Sequence, residues 1–180
     1  MNLLERYFLP DSYAKNVFSV DLSALKARGI QLILCDIDNT LVAYDDPHPD
    51  QFAREFIAKV HESGMKVVLI SNNTQKRVSA FADKCDAKYY YSSLKPFKRQ
   101  YKRILKEYEL SSDQLAVIGD QLLTDICGGK RMHIYTVLTS PLYTKDIIYT
   151  KITRIVENMI YFVFEKQGKL IKGEYYGEIL

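Results

Sequence analysis

Five short runs of apolar and branched residues recur along the chain, at 31–35, 66–70, 88–91, 114–118 and 134–138, with amphipathic stretches between them. Runs of this length bounded by polar turns read as buried strands. Between the first two, Phe52, Phe56, Ile57 and Val60 recur at helical spacing, and Gly64 is a natural stop, which predicts a helix over 50–62. Ser71-Asn72-Asn73-Thr74 offers capping oxygens for a helix running to about 84. Lys95-Pro96 opens a helix over 97–108, and Gly119-Asp120 turns into a short one around 122–127. Strands alternating with helices of this length predict parallel βαβ units, hence a layered α/β fold whose sheet is covered on both faces. The predicted core spans 31–140, with 1–30 packed on it as an N-terminal segment. A C-terminal part, 141–180, either completes the same domain or lies at its periphery. There Ile148, Ile152, Ile155, Met159 and Phe162, joined by Val156, Ile160 and Val163, mark an amphipathic helix. Its other side carries Lys151, Arg154, Glu157, Asn158 and Glu165.

At 180 residues, 47% hydrophobic and 26% charged, the chain has the material for one globular domain with a substantial core. A net charge of +3 suits an anionic substrate but falls short of a nucleic-acid footprint, so no nucleic-acid partner is expected. The three cysteines, Cys35, Cys85 and Cys127, are odd in number and lack zinc-like spacing, which fits a reducing, cytoplasmic setting. Glu5 and Arg6 interrupt the first apolar residues, so the start of the chain does not read as a secretory signal. No window approaches the roughly 20 apolar residues of a membrane-spanning helix.

The chemistry collects where the strands end. Ligands of open α/β sheets bind at the carboxyl ends of the strands. Asp36 and Asp38 follow the first run, Ser71 the second, Lys95 stands just beyond the third, and Asp120 follows the fourth. Each feature alone has a plain reading: Asp-x-Asp as a solvated turn or cap, Ser71 as an N-cap, Lys95 as a surface lysine, Gly119-Asp120 as a turn. The repetition at four strand ends favours a site. Asp36, Asp38 and Asp120 could supply oxygens to Mg²⁺, which prefers a few carboxylates plus water and substrate phosphate. A carboxylate held against a cation is a competent nucleophile for phosphoryl transfer, and a second could exchange a proton with the leaving group and with water. Ser71 lies at a predicted helix N-terminus, where an anion is favoured. His48 and His61 fall on no strand end and read as solvated, and Cys35 as a small buried side chain.

Asp36-Ile37-Asp38-Asn39-Thr40-Leu41, Ser71-Asn72-Asn73, Lys95-Pro96 and Gly119-Asp120-Gln121-Leu122-Leu123-Thr124-Asp125 resemble the four ordered motifs of haloacid dehalogenase-like (HAD) phosphatases. The last motif is similar to that of subfamily IIIA, and the whole chain, including Phe8-Leu9-Pro10-Asp11, resembles the bacterial YqeG-like group, itself similar to mitochondrial phosphatidylglycerophosphate phosphatases. The resemblance implies a three-layer Rossmann-like fold with a mainly parallel five-stranded sheet. It implies Asp36 as the nucleophile that forms an aspartyl-phosphate, and Asp38 as general acid/base whose main-chain carbonyl also meets Mg²⁺. Ser71 and Lys95 would hold the transferring phosphoryl group, with Thr40 and Asn72 beside them on the substrate side. Asp120 would be the remaining carboxylate ligand, and Asp125 an outer partner of the metal site or of Lys95.

Relatives of this kind gain specificity from inserted cap domains. Here 31 positions separate Thr40 from Ser71 and 24 separate Ser71 from Lys95, all consumed by predicted core elements. Chains below about 40 residues rarely fold alone, so no cap domain is expected and the site should be open. An open site suits a large substrate or a head group at a surface. Lys98, Arg99, Lys102, Arg103 and Lys106 cluster on one helix beside Lys95, and Lys130 and Arg131 follow the last motif. Such a run is ordinarily a solvated face, yet around an open site it also suits peripheral contact with the inner face of a membrane. Together with these features, the resemblance implies phosphatidylglycerophosphate as the expected substrate. A soluble nucleotide, sugar or protein phosphate, or a partner-binding scaffold with little turnover, stand as alternatives.

Overall fold

The computed structural model describes residues 2–46, 48–143 and 148–177, with side chains except at 148–152. The expected contributions of Ile148, Lys151 and Ile152 therefore lie outside the described side chains. Six strands form one sheet in the order β1-β6-β5-β2-β3-β4. They are β1 (Ser12–Ala14), β2 (Leu32–Cys35), β3 (Lys66–Ile70), β4 (Lys88–Tyr90), β5 (Leu115–Gly119) and β6 (Tyr135–Thr139). Every adjacent pair is parallel.

The central strands owe their position to apolar residues that alternate between two cores. Ile33 and Cys35 of β2, Val67 and Leu69 of β3, and Ala116 and Ile118 of β5 face one side. There they meet Phe56, Ile57 and Val60 of α3 (Gln51–Glu62) and Val78 and Phe81 of α4 (Gln75–Ala82). Leu32 and Leu34, Val68 and Ile70, and Leu115 and Val117 face the other side, against Tyr101 and Ile104 of α5 (Lys98–Tyr108). Full burial of each such side chain contributes roughly 1.5–3 kcal/mol. A strand apolar on both faces can lie only inside a three-layer stack, which puts β2 and β5 at the centre and their carboxyl ends side by side.

The sheet has one strand more than the five expected. Strand β1 comes from the N-terminal segment, between α1 (Leu3–Phe8) and α2 (Leu22–Ala27). At three residues it carries no periodic signal, and it is held from outside itself. The Asp11 carboxylate accepts from the Thr136 amide and hydroxyl, both at 2.7 Å, fixing β1 beside β6. The C-terminal tail then bridges β1 through Tyr13 and Tyr176, which covers the exposed edge.

Among the described residues no cap interrupts the core. Between Thr40 and Ser71 lie a loop, α3 and β3, and between Ser71 and Lys95 lie α4 and β4. After β5 the chain makes a π-helical turn (Leu122–Ile126), continues as α6 (Cys127–Arg131) and enters β6. The long helix α7 (Ile148–Lys166) closes the fold. Its inward face takes Ile160 from the expected apolar stripe and leaves most of the rest outside. Ile155, Met159 and Phe162 are 62%, 66% and 60% exposed, whereas Glu157, Ile160 and Phe164 are buried. Ile160 and Phe164 pack with Leu122, Ile126 and Leu138, seating α7 against the turn that follows β5.

Phe164→Ala is expected to cost about 3–5 kcal/mol in urea unfolding. Phe162→Ala, on the exposed side, should fall within about 0.5 kcal/mol of the parent. Equal costs for the two would show that α7 docks otherwise.

Candidate active site

Strand β2 ends in a tight turn that re-aims the chain. The amides of Thr40, Leu41 and Val42 all donate to the Ile37 carbonyl, and the Asn39 amide donates to the Val42 carbonyl at 2.7 Å. Asn39 adopts φ 63°, a left-handed conformation that asparagine tolerates better than most residues. The turn holds Asp36 and Asp38 at the carboxyl end of the sheet. The loops after β3 and β4 are zipped together: Ser93 donates to the Ser71 carbonyl at 3.0 Å and Ser92 to that of Asn73 at 2.9 Å. Asn72 clasps the main chain of Lys95 from both sides, accepting from its amide at 2.7 Å and donating to its carbonyl at 3.1 Å.

Lys95 is thereby driven inward. Its Nζ lies 2.5 Å from Asp36 Oδ1 and 2.6 Å from Asp125 Oδ1. Asp125 reaches it from the π-helical turn, its second oxygen accepting from the Gln121 amide at 3.2 Å. Gly119 permits the approach, since a Cβ there would stand 2.3 Å from Asp125 Cγ. Asp38 sits apart from this pair. Arg77 of α4 donates to its Oδ1 at 2.9 Å, and Ser71 and Asn73 donate to Oδ2, both at 3.4 Å. Asp120, at the end of β5, receives the Thr40 hydroxyl at 3.4 Å and is paired with Arg154 of α7.

One carboxylate oxygen each from Asp36, Asp120 and Asp125 lies within 4.8 Å of the other two, and all three residues are buried. Among the described residues this is the one acidic group compact enough for a cation. Burial pushes the Asp36 carboxyl well above the usual range; Lys95 opposes the shift, and Asp125, Asp120 and Asp38 add to it. Burial likewise pushes Asp120 up to about 7, against the pull of Arg154. Burial works against the Lys95 ammonium, but Asp125 and Asp36 outweigh it and raise its pKa.

Two family models match in tandem: haloacid dehalogenase-like hydrolase over residues 33–94, and HAD-hydrolase-like over 93–141. The Bacillus subtilis protein named probable phosphatase YqeG is 35% identical over 168 residues, covering 93% of this chain and 98% of its own. The chain belongs to the haloacid dehalogenase-like hydrolases. Similar solved structures include 3-deoxy-D-manno-octulosonate 8-phosphate phosphatase from Yersinia pestis, at 16% identity and TM-score 0.51, covering 91% of this chain and 98% of that one. A hypothetical protein from Xanthomonas campestris aligns at 17% identity and TM-score 0.53, over 73% of this chain and 74% of its own. At those identities the likeness is one of fold.

Within this HAD fold a pocket of about 380 Å³ opens over the strand ends, walled by Asp36, Asp38, Ser71, Asn72 and Lys95, with Tyr44 among its other residues. A larger cleft, about 480 Å³, is lined by Arg6, Arg28, Lys130 and Tyr135 and touches none of these groups. The donor set fits the divalent cation that HAD hydrolases use: buried, oxygen-only and rich in carboxylate. Asp36 and Asp120 sit in that set as expected, and Asp125 joins them while holding Lys95. The Asp38 side chain stands outside it, turned to Arg77 and Ser71. Two residues expected on the substrate side are engaged by their neighbours. Thr40 does not wall the pocket, because its hydroxyl is turned to Asp120. The Asn72 side chain faces the pocket but is committed to the Lys95 main chain, which makes it a holder of that loop. Ser71 lies three residues ahead of the true N-cap, Thr74, and its hydroxyl accepts from the Asn73 amide at 3.0 Å. Cys35 is buried and donates to the Asp36 carbonyl, and His48 and His61 are exposed. Sequence reasoning missed Arg77, Arg154 and Glu157; their helical registers carried a signal, but nothing along the chain ties them to the strand ends.

A carboxyl with a raised folded pKa adds stability that is present at low pH and lost as pH rises through that pKa. Without a divalent cation, thermal stability should therefore fall between pH 6 and 8, around the value near 7 for Asp120. A cation binds the deprotonated form, so the rise in Tm on adding Mg²⁺ to chelator-treated protein should be larger at pH 8 than at pH 6. Asp120→Asn should flatten this difference. A larger gain at pH 6 would contradict the shift.

Proposed function

We propose that this HAD-family phosphatase is a Mg²⁺-dependent phosphomonoester hydrolase acting on phosphatidylglycerophosphate at a membrane surface. The observation that carries the catalytic part is the buried contact between Lys95 and Asp36 at the mouth of an uncapped pocket, with Asp38 and Ser71 on its wall. One oxygen of Asp36 is held by Lys95, leaving the other to attack phosphorus. The phosphorus–ester oxygen bond breaks, Asp38 gives its proton to the leaving alkoxide, and an aspartyl-phosphate remains on Asp36. Asp38 then takes a proton from water, whose oxygen attacks phosphorus and releases Asp36 and phosphate. Lys95 and the Ser71 hydroxyl compensate the charge on the transferring group, the kind of positioned electrostatics on which phosphoryl transfer depends. Mg²⁺, held by Asp36, Asp120 and the Asp38 carbonyl, would supply further charge neutralisation.

The lipid part is supported by what surrounds the pocket. Leu94 and Phe97 flank the Lys95-Pro96 pair and are 61% and 62% exposed. Lys98, Arg99 and Lys102 follow on the exposed side of α5. Apolar prongs beside cations suit an anionic bilayer, where each basic residue near the surface contributes about 1 kcal/mol. The exposed stripe Ile155, Met159 and Phe162 on α7 adds apolar surface. No described helix is long and apolar enough to cross a membrane, so contact would be peripheral.

The test is phosphate release from phosphatidylglycerophosphate in vesicles, with and without Mg²⁺, beside nucleotide, sugar and protein phosphates. The lipid should be the fastest substrate and Mg²⁺ essential; a faster soluble phosphate would overturn the lipid assignment. Asp36→Asn should abolish turnover, and Lys95→Ala should slow it about 10²–10³-fold. Turnover by Asp36→Asn at the parent rate would remove Asp36 as nucleophile and favour a partner-binding scaffold with contaminating activity.

A further inference from the structure

The C-terminal helix α7 presents a buried acid and a half-buried base to the turn after β5. Arg154 Nη2 is paired with Asp120 Oδ2, and Nη1 donates to the Asp120 carbonyl at 3.2 Å. Nη1 also meets Glu157 Oε2 at 2.9 Å, and Glu157 Oε1 accepts from the Leu123 amide at 3.1 Å. Glu157 is 1% exposed on a helix whose outward face is apolar. A buried charge is costly unless paired, and truncating one partner of such a pair leaves the other stranded. The pair meets the main chain and side chain of Asp120 and the main chain of Leu123. Its placement has no use as surface chemistry.

We infer that Arg154, held in place by Glu157, is a positioning residue for Asp120, making α7 part of the cation site. The inference rests on the reading of Asp120 as a cation ligand. The guanidinium grips one oxygen and the carbonyl of the same residue, fixing both the side chain and the backbone of Asp120. The other oxygen, Oδ1, accepts from the Thr40 hydroxyl at 3.4 Å, and Asp120 forms one acidic group with Asp36 and Asp125. The positive charge of Arg154 beside a cation site would by itself weaken cation binding. Glu157 at 2.9 Å cancels that charge, so the pair acts on Asp120 by geometry. Lysine cannot reproduce the fork, because one ammonium cannot meet Oδ2, the carbonyl and Glu157 with fixed planar donors.

Mn²⁺, read by electron paramagnetic resonance, serves as the probe of the full-length protein. Arg154→Ala should raise the Mn²⁺ Kd about 10–100-fold, the usual cost of losing a partner that orients a ligand. In turnover it should raise the half-saturating Mg²⁺ concentration by a similar factor, while kcat at saturating Mg²⁺ and KM for substrate stay near the parent values. Arg154→Lys should fall between parent and alanine. Glu157→Gln keeps the shape but leaves the guanidinium charge uncancelled, and should also raise Kd. Both milder variants keep the test open where Arg154→Ala does not fold. A Kd within about twofold of the parent for these variants, with only a lowered Tm, would make the pair a structural strap and overturn the inference. Failure of the parent protein to bind Mn²⁺, or parent-like binding by Asp120→Asn, would instead overturn the reading of Asp120 on which it rests.

Discussion

Three buried carboxylates within 4.8 Å of one another are the constraint around which the rest of this structure is arranged. An isolated carboxylate is expensive to bury, and like charges at this distance raise the cost of ionising each. The fold answers with cations brought from separate parts of the chain. Lys95 stands between Asp36 and Asp125, and Arg154 stands on Asp120. Lys95 balances one carboxylate, and Arg154 is itself offset by Glu157, so the remaining negative charge is what a divalent ion would meet. The apolar strands deliver the acids, whereas the loops and α7 deliver the bases, so the site forms only once the sheet and its flanking layers have assembled.

That division explains which parts could be read along the chain. Strands β2, β3 and β5 are apolar on both faces, so Asp36, Ser71 and Asp120 could be placed at strand ends from pattern alone. Strand β1 could not, because its three residues are held by Asp11, Thr136 and Tyr176, contacts distant in sequence. The role of Asn72 was hidden for a related reason. An asparagine after a strand reads equally as a ligand or as a clasp, and only the folded position of Lys95 reveals the clasp.

Helix α7 is the sharper case. Its amphipathic period was plain, but a helical moment gives the axis of segregation without saying which side is inside. The usual assumption buries the apolar stripe. Here the buried side carries Glu157 with Ile160 and Phe164, because the surface it meets combines an apolar patch from Leu122 and Ile126 with the Leu123 amide and Asp120. Polarity on a helix face follows the chemistry of the surface opposite, and an acidic strand end demands a basic helix.

The pairing of acids and bases also bears on how single substitutions should be read. Asp36, Asp38 and Asp120 are each in contact with one described base: Lys95, Arg77 and Arg154 respectively. Removing a carboxylate strands its base, and a stranded buried charge costs stability as well as chemistry. The three are not equivalent in this respect. Lys95 has a second partner in Asp125 at 2.6 Å, so neutralising Asp36 leaves the ammonium still paired. Arg154 retains Glu157 and the Asp120 carbonyl when the Asp120 carboxylate is lost. Among the described residues Arg77 keeps only the Ala43 carbonyl at 3.4 Å, with two of its nitrogens buried and without a partner there. Loss of function at Asp36 therefore reports chemistry most directly. At Asp38 the same loss mixes chemistry with the cost of an unpaired guanidinium, and the two separate only when stability is measured beside turnover.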